Sequence, residues 1–233
     1  MFNKGTGILL FSRLPKAEAK WKALSGDTIT DQVLWENLYN HTLAVAKHTT
    51  YPVVIYNEEQ QKGISFAEKI TNAISESFDA GFDNLIVLGT DCPSLSSRQI
   101  VSAADALQKG RHLVIGPDQR GGVYLLAVNK QSFCKKSFLH FQWQSRELLS
   151  DLKRFGKSYT YFILHSRLGD VNSIKDAIST ASAYNSSASW RTLVFRCIIS
   201  SSIKCSEIFD SIRSAIPTSN LSLRAPPCIA IAI

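Results

Sequence analysis

No apolar run in the 233 residues approaches the roughly 18 needed to cross a bilayer as a helix. The start, Met1 to Gly7, lacks the charged lead, long apolar stretch and small-residue cleavage site of a secretory signal. The expectation is therefore a cytoplasmic protein. Cysteine is sparse, and its pattern excludes two further classes. The five residues, Cys92, Cys134, Cys197, Cys205 and Cys228, are odd in number and never spaced C-x-x-C, so neither a disulfide framework nor a zinc site is expected. Charged residues make up 19% of the chain against 45% hydrophobic, a balance that suits a packed core and argues against disorder. Acidic charge is in deficit, and the formal net charge is +7. A basic surface attracts anions such as nucleotides, although an ordinary solvated surface gives the same number.

Short β-branched runs alternate with longer amphipathic segments. Thr6 to Ser12, Tyr51 to Asn57, Asn84 to Thr90, His112 to Gly116, Val123 to Val128 and Tyr159 to Leu164 read as strands. Thr28 to His48, Phe66 to Ala80, Ser96 to Leu107, Arg146 to Phe155 and Ser173 to Tyr184 read as helices. Ser96 with Gln99 forms a capping box, and Gly81 ends the helix before it. This order predicts an α/β fold: a Rossmann-like, mostly parallel sheet with helices on both faces, locally antiparallel around Gly121 and Gly122. Residues 1–184 form the expected domain. After a Ser-rich linker, residues 185–233 read as a C-terminal extension, expected to pack on the domain or on a second copy as a homodimer contact. Its basic and aromatic residues are too thinly spread for a nucleic-acid module, so no nucleic acid and no membrane is expected as a partner.

Three segments carry the chemistry. In Leu88-Gly89-Thr90-Asp91-Cys92-Pro93 a hydrophobic strand runs out into a carboxylate. Ligands of open parallel sheets bind beyond the carboxyl ends of strands, where Asp91 could hold Mg²⁺ or Mn²⁺ against a diphosphate; equally, it could simply bond the amides of its own turn. Gly116 to Tyr124 (GPDQRGGVY) lets a ligand approach the backbone at Gly121 and Gly122, although a plain hairpin turn explains the pair as well. Asp118 would converge with Asp91 if strands 84–90 and 112–116 are neighbours. The turn after the first strand clusters Arg13, Lys16, Lys20 and Lys22 where α/β folds bind phosphate. It contains no glycine, so an ordinary backbone phosphate cradle is not expected.

LGTDCPSLS (88–96), GPDQRGGVYLLAV (116–128), FQWQSRELL (141–149) and LGDVNSIKDA (168–177) resemble, in order and spacing, the glycosyltransferase-like family called rSAM/selenodomain-associated transferase. That family is related at fold level to phospholactate and molybdopterin cofactor guanylyltransferases, and the resemblance covers roughly Gly7 to Tyr184. It implies the nucleotide-diphospho-sugar transferase fold of GT-A type, and glycosyl or nucleotidyl transfer from a nucleotide-sugar or nucleotide with a divalent metal. By position it implies Asp91 and Asp170 as metal ligands, with Asp118, two residues before the family's Asp, as the candidate to stand in at the turn. It places Gly63, Lys69, Gly121 and Gly122 about the nucleotide, and Trp143 and Ser145 at an acceptor pocket; Arg13, Lys20, Lys22 and Arg120 are candidate phosphate-binding residues on their charge. The chain departs from the family at three places. Ala17 and Glu18 replace a Pro-Gly pair in the first loop, where Lys20 and Lys22 flank the expected lysine position without occupying it, Arg120 replaces an Asp, and Asn172 replaces the second Asp of a D-V-D motif. Arg120 could act as a phosphate clamp in place of a metal-binding carboxylate. The alternative to an enzyme is a nucleotide-binding or scaffold protein on the same fold. No catalytic base or nucleophile is identified.

Overall fold

The structure, a computed structural model of the chain, describes residues 5–183, 186–197 and 199. Its centre is a six-stranded sheet of β1 (Thr6–Phe11), β2 (Val53–Tyr56), β3 (Asn84–Leu88), β4 (Leu113–Pro117), β5 (Val123–Asn129) and β6 (Tyr161–Ile163). The spatial order is β2-β1-β3-β5-β4-β6. Every pairing is parallel except those of β5, which runs antiparallel to both β3 and β4. This is the mostly parallel α/β architecture expected of a nucleotide-diphospho-sugar transferase. The antiparallel turn at Gly121 and Gly122 also holds, and β5 inserts between β3 and β4, so strands 84–90 and 112–116 are not neighbours.

Alternation along each strand sorts its side chains to the two faces. Ile8, Leu10, Ile86, Leu88, Val114 and Ala127 enter the layer beneath α2 (Thr28–Lys47) and α4 (Ser97–Gln108). Leu9, Phe11, Leu85, Val87, Ile115 and Leu126 enter the opposite layer, beneath α3 (Phe66–Asp79), α5 (Lys135–His140) and α6 (Leu148–Gly156). A strand buried on both faces has no polar side to show, which is why Ile8, Leu9 and Leu10 follow one another without interruption. The helix starts follow their caps. Ser65 and Glu68 close a capping box on α3, and the Gln99 side chain accepts from the Ser96 N–H at 3.0 Å at the start of α4.

Two helices arise where the sequence offered no clear period. Pro15, at the first turn of α1 (Pro15–Trp21), starts a helix inside the basic turn, and α5 spans only six residues. The last named helix, α7 (Ile174–Ser182), opens on Ser173, whose hydroxyl accepts from the Asp176 N–H. A compact unit runs from Met1 to Phe195, and Arg196–Ile233 forms a second. Trp190 belongs to the first unit. It is 1% exposed and donates its indole N–H to Thr180 Oγ1 at 3.1 Å. Most of the 185–233 extension, and with it the expected homodimer contact, lies outside the described residues. No helix among the described residues is long and apolar enough to cross a membrane.

Candidate functional site

The carboxyl ends of β1, β2, β3, β4 and β6 share one rim of the sheet, and the loops that leave them carry most of the candidate residues. Asp91 stands just beyond β3. Its side chain is 37% exposed and faces Lys22 Nζ at 3.7 Å. Burial of its surroundings pushes the Asp91 carboxyl above its ordinary value; Lys22 pulls it back in part, and the nearby Asp170 adds to the rise. The Val171 N–H donates to the Asp91 carbonyl at 2.8 Å, which ties the loop after β3 to the loop that carries Asp170. Asp170 Oδ1 is buried and has no hydrogen-bond partner, with Arg120 Nε 3.9 Å away.

Lys22 is held from two sides by α2. Trp35, 2% exposed, donates its indole N–H to the Lys22 carbonyl at 3.0 Å, and the Lys22 ammonium lies 5.2 Å from the centre of the Trp35 ring. Arg13 leaves β1, pairs with Glu18 at 3.1 Å and lies 4.5 Å from the centre of the Trp21 ring. The Leu14 N–H donates to Glu58 at 2.7 Å. The Leu14 amide of the first turn is thus already taken by a carboxylate. Lys20 is exposed on α1.

Asp118 does not join Asp91. β5 separates β3 from β4, and Asp118 is 7% exposed, with Oδ1 accepting from the N–H groups of Arg120 at 2.7 Å and Gly122 at 2.8 Å. Its work is to shape the turn. Gly121, at φ 100°, allows the close approach this turn makes to the 146–149 segment, because a Cβ there would lie 2.4 Å from the Arg146 carbonyl oxygen. At Gly122 a Cβ would lie 2.3 Å from Asp118 Oδ2. Both glycines are therefore explained by the turn itself.

Arg120 reaches over the rim to Asp170 and, more closely, to Asp176 in the first turn of α7. Burial alone would raise the Asp176 carboxyl; the bonds from Arg120, Ser173 and the Asn172 N–H outweigh it and hold the group below its usual range. Asn172 donates its side-chain amide to Asp170, so the residue that replaces a second carboxylate steadies the first. A small hollow of about 120 Å³ opens beside this loop, lined among others by Ser94, Gln119, Arg167, Gly169 and Thr180. A larger open depression, about 620 Å³, lies at the opposite end of the sheet by Asp83 and Lys130, away from the strand ends where such folds bind ligands.

The remaining candidates sit further round. Gly63, at φ 128°, turns the chain into the α3 capping box, and Lys69 is half-buried in the first turns of that helix. Trp143 donates its indole N–H to the Phe138 carbonyl at 2.7 Å and packs among Phe66, Phe138 and Phe141. The Ser145 hydroxyl donates to the Gln142 carbonyl at 2.8 Å. These two residues hold their own loop together.

No cluster of three or more His, Cys, Asp or Glu side chains arranged for a metal occurs among the described residues. A divalent cation is therefore tested by what Asp91 and Asp170 offer as a pair. One is partly open, and the other presents a buried oxygen with no hydrogen-bond partner. Such a pair suits a hard cation that keeps water and phosphate oxygens as its other ligands, as Mg²⁺ does. Trp35 and Asp176 were not singled out from the sequence, and Glu18 only as a departure in the first loop. Only Asp176 had a local signal there, in the Ser-x-x-Asp spacing from Ser173.

Residues 26–145, more than half of the chain, match the family described as "Uncharacterized protein conserved in bacteria (DUF2064)". The chain belongs to this family. The matched span holds Asp91, the 118–122 turn and Trp143, while the basic first turn and Asp170 lie outside it. Among solved structures, a Desulfovibrio desulfuricans G20 protein described as a "putative nucleotide-diphospho-sugar transferase" superposes with a TM-score of 0.68 at 18% identity, over 84% of this chain and 99% of that one. That likeness establishes the fold. A Mycobacterium sp. strain JC1 homologue of Mycobacterium tuberculosis rv0371c matches more loosely, with a TM-score of 0.48 at 12% identity over 85% of this chain and 98% of its own. A 4-diphosphocytidyl-2C-methyl-D-erythritol synthase from Anaerococcus prevotii DSM 20548 gives 0.46 at 8% over 73% and 90%. No curated protein matches the chain.

Proposed function

We propose that the protein is a transferase that binds a nucleoside-diphosphate sugar, or a related nucleotide, with a divalent cation at the carboxyl rim of its sheet. The observation that carries this reading is the Asp91–Asp170 pair, with Lys22 and Arg120 beside it. Asp91 and Asp170 would hold the cation. The cation would neutralise charge on the departing diphosphate, which is the main demand of such a displacement. Lys22, fixed by Trp35, and Arg120, whose planar fork suits two phosphate oxygens, would hold the phosphates. Trp143 and Ser145, both half-buried, would bound the acceptor side. The blocked Leu14 amide and the missing glycine favour a diphosphate donor over a triphosphate.

The second reading, a nucleotide-binding protein without catalysis, draws on the same ion pairs. Lys22 already faces Asp91, and Arg120 already bonds Asp176, so a ligand must compete with contacts inside the chain. Calorimetry separates the two. Titrating the full chain with GDP, UDP and their sugar conjugates should give binding that requires Mn²⁺ and disappears in Asp91→Ala. Binding that needs no metal and survives Asp91→Ala assigns the protein to the second reading.

A further inference from the structure

We infer that Trp21 is the stacking platform for the nucleobase of the bound nucleotide, an inference that rests on the transferase reading and extends it to the ligand's planar part. Trp21 is 72% exposed, whereas Trp35 and Trp190 are buried and Trp143 is half-buried in an aromatic cluster. An indole left this open at the end of a seven-residue helix contributes little to the core and keeps its flat surface accessible to a ligand.

Its neighbours locate it at the rim. Arg13, the second residue after β1, lies 4.5 Å from the ring centre, and its guanidinium is pinned by Glu18 at 3.1 Å. Glu18 is near enough to Asp91 to raise the Asp91 carboxyl further. Lys22, the next residue after Trp21, reaches Asp91 at 3.7 Å. Trp21 thus lies in the chain between Glu18 and Lys22, both of which act on the Asp91 carboxyl.

A cation over an indole fixes the ring's orientation and leaves the flat aromatic surface as a ready partner for another π-face. Any nucleobase offers such a face, so stacking gives affinity with little selection among bases. No spacing rule marks a Trp inside a basic turn, so the sequence alone shows only the cluster of cations here.

The test compares GDP and UDP with inorganic pyrophosphate, all with Mg²⁺, on the full chain and on Trp21→Ala and Trp21→Phe, by calorimetry and tryptophan fluorescence. GDP and UDP should quench the exposed tryptophan and shield it from acrylamide, and pyrophosphate should bind without doing either. Trp21→Ala should weaken GDP and UDP about tenfold, leave pyrophosphate unchanged, and be largely rescued by Trp21→Phe. Equal nucleotide affinity in the full chain and Trp21→Ala overturns the platform and leaves the transferase reading standing. Equal weakening of nucleotide and pyrophosphate also overturns it, because Trp21 would then act only by shaping the turn. Failure of the full chain to bind any of the three removes both readings.

Discussion

At the scale of single residues, the site is a contest between charges. Asp91 carries a carboxyl raised first by burial and then by Asp170, with Lys22 opposing. A carboxyl raised in the folded state binds its proton more tightly there than in the unfolded chain. Stability is therefore untouched well below the ordinary aspartate range, about pH 3.9, and falls as pH rises from there through the folded value. Asp91→Asn removes that penalty. It should raise the melting temperature at pH 7 by about 1–3 °C, and the gain should shrink toward zero as the pH is lowered to about 3.5. A gain independent of pH, in thermal melts across that range, would show that Asp91 is not the group responsible. The same residue is indispensable to the proposed binding, so this stabilisation should come with loss of nucleotide affinity, the usual pattern where a site holds like charges together.

Elements decide which residues can meet, and here the sequence was legible in part. The unbroken apolar runs Ile8 to Leu10 and Leu85 to Leu88 were enough to place strands buried on both faces, and Ser96 with Gln99 marked a helix start. The insertion of β5 between β3 and β4 was not legible, because strand order depends on long-range pairing that no local pattern records. That one difference removes Asp118 from Asp91 and returns it to its own turn. The Arg120–Asp176 contact was hidden for the same reason: it joins the β4–β5 turn to α7. The turn itself yields a sharp expectation. Gly121→Ala places a methyl against the Arg146 carbonyl at a backbone angle that suits glycine, and should cost about 2 kcal/mol or more in urea unfolding. A loss under about 0.5 kcal/mol, the scale of an ordinary surface change, would mean that the 118–122 turn does not pack on the 146–149 segment.

On the scale of the whole molecule, two apolar layers enclose the sheet and leave its carboxyl rim to the loops. The first unit continues past α7, because Trp190 fills space against Thr180. Trp190→Ala should cost about 3–5 kcal/mol, and a chain ending at Phe195 should melt well above one ending at Ala183. Equal melting of the two truncated chains would show that residues 186–195 add nothing to the fold. The central claim, a cation and a diphosphate held between Asp91 and Asp170, is tested most directly by crystals grown with Mn²⁺ and GDP. The expected anomalous-difference map has its principal peak within ligand distance of both carboxylates, with the diphosphate beside Lys22 and Arg120. Ordered GDP at this rim with no manganese between the two aspartates, or manganese bound elsewhere on the chain, would contradict it.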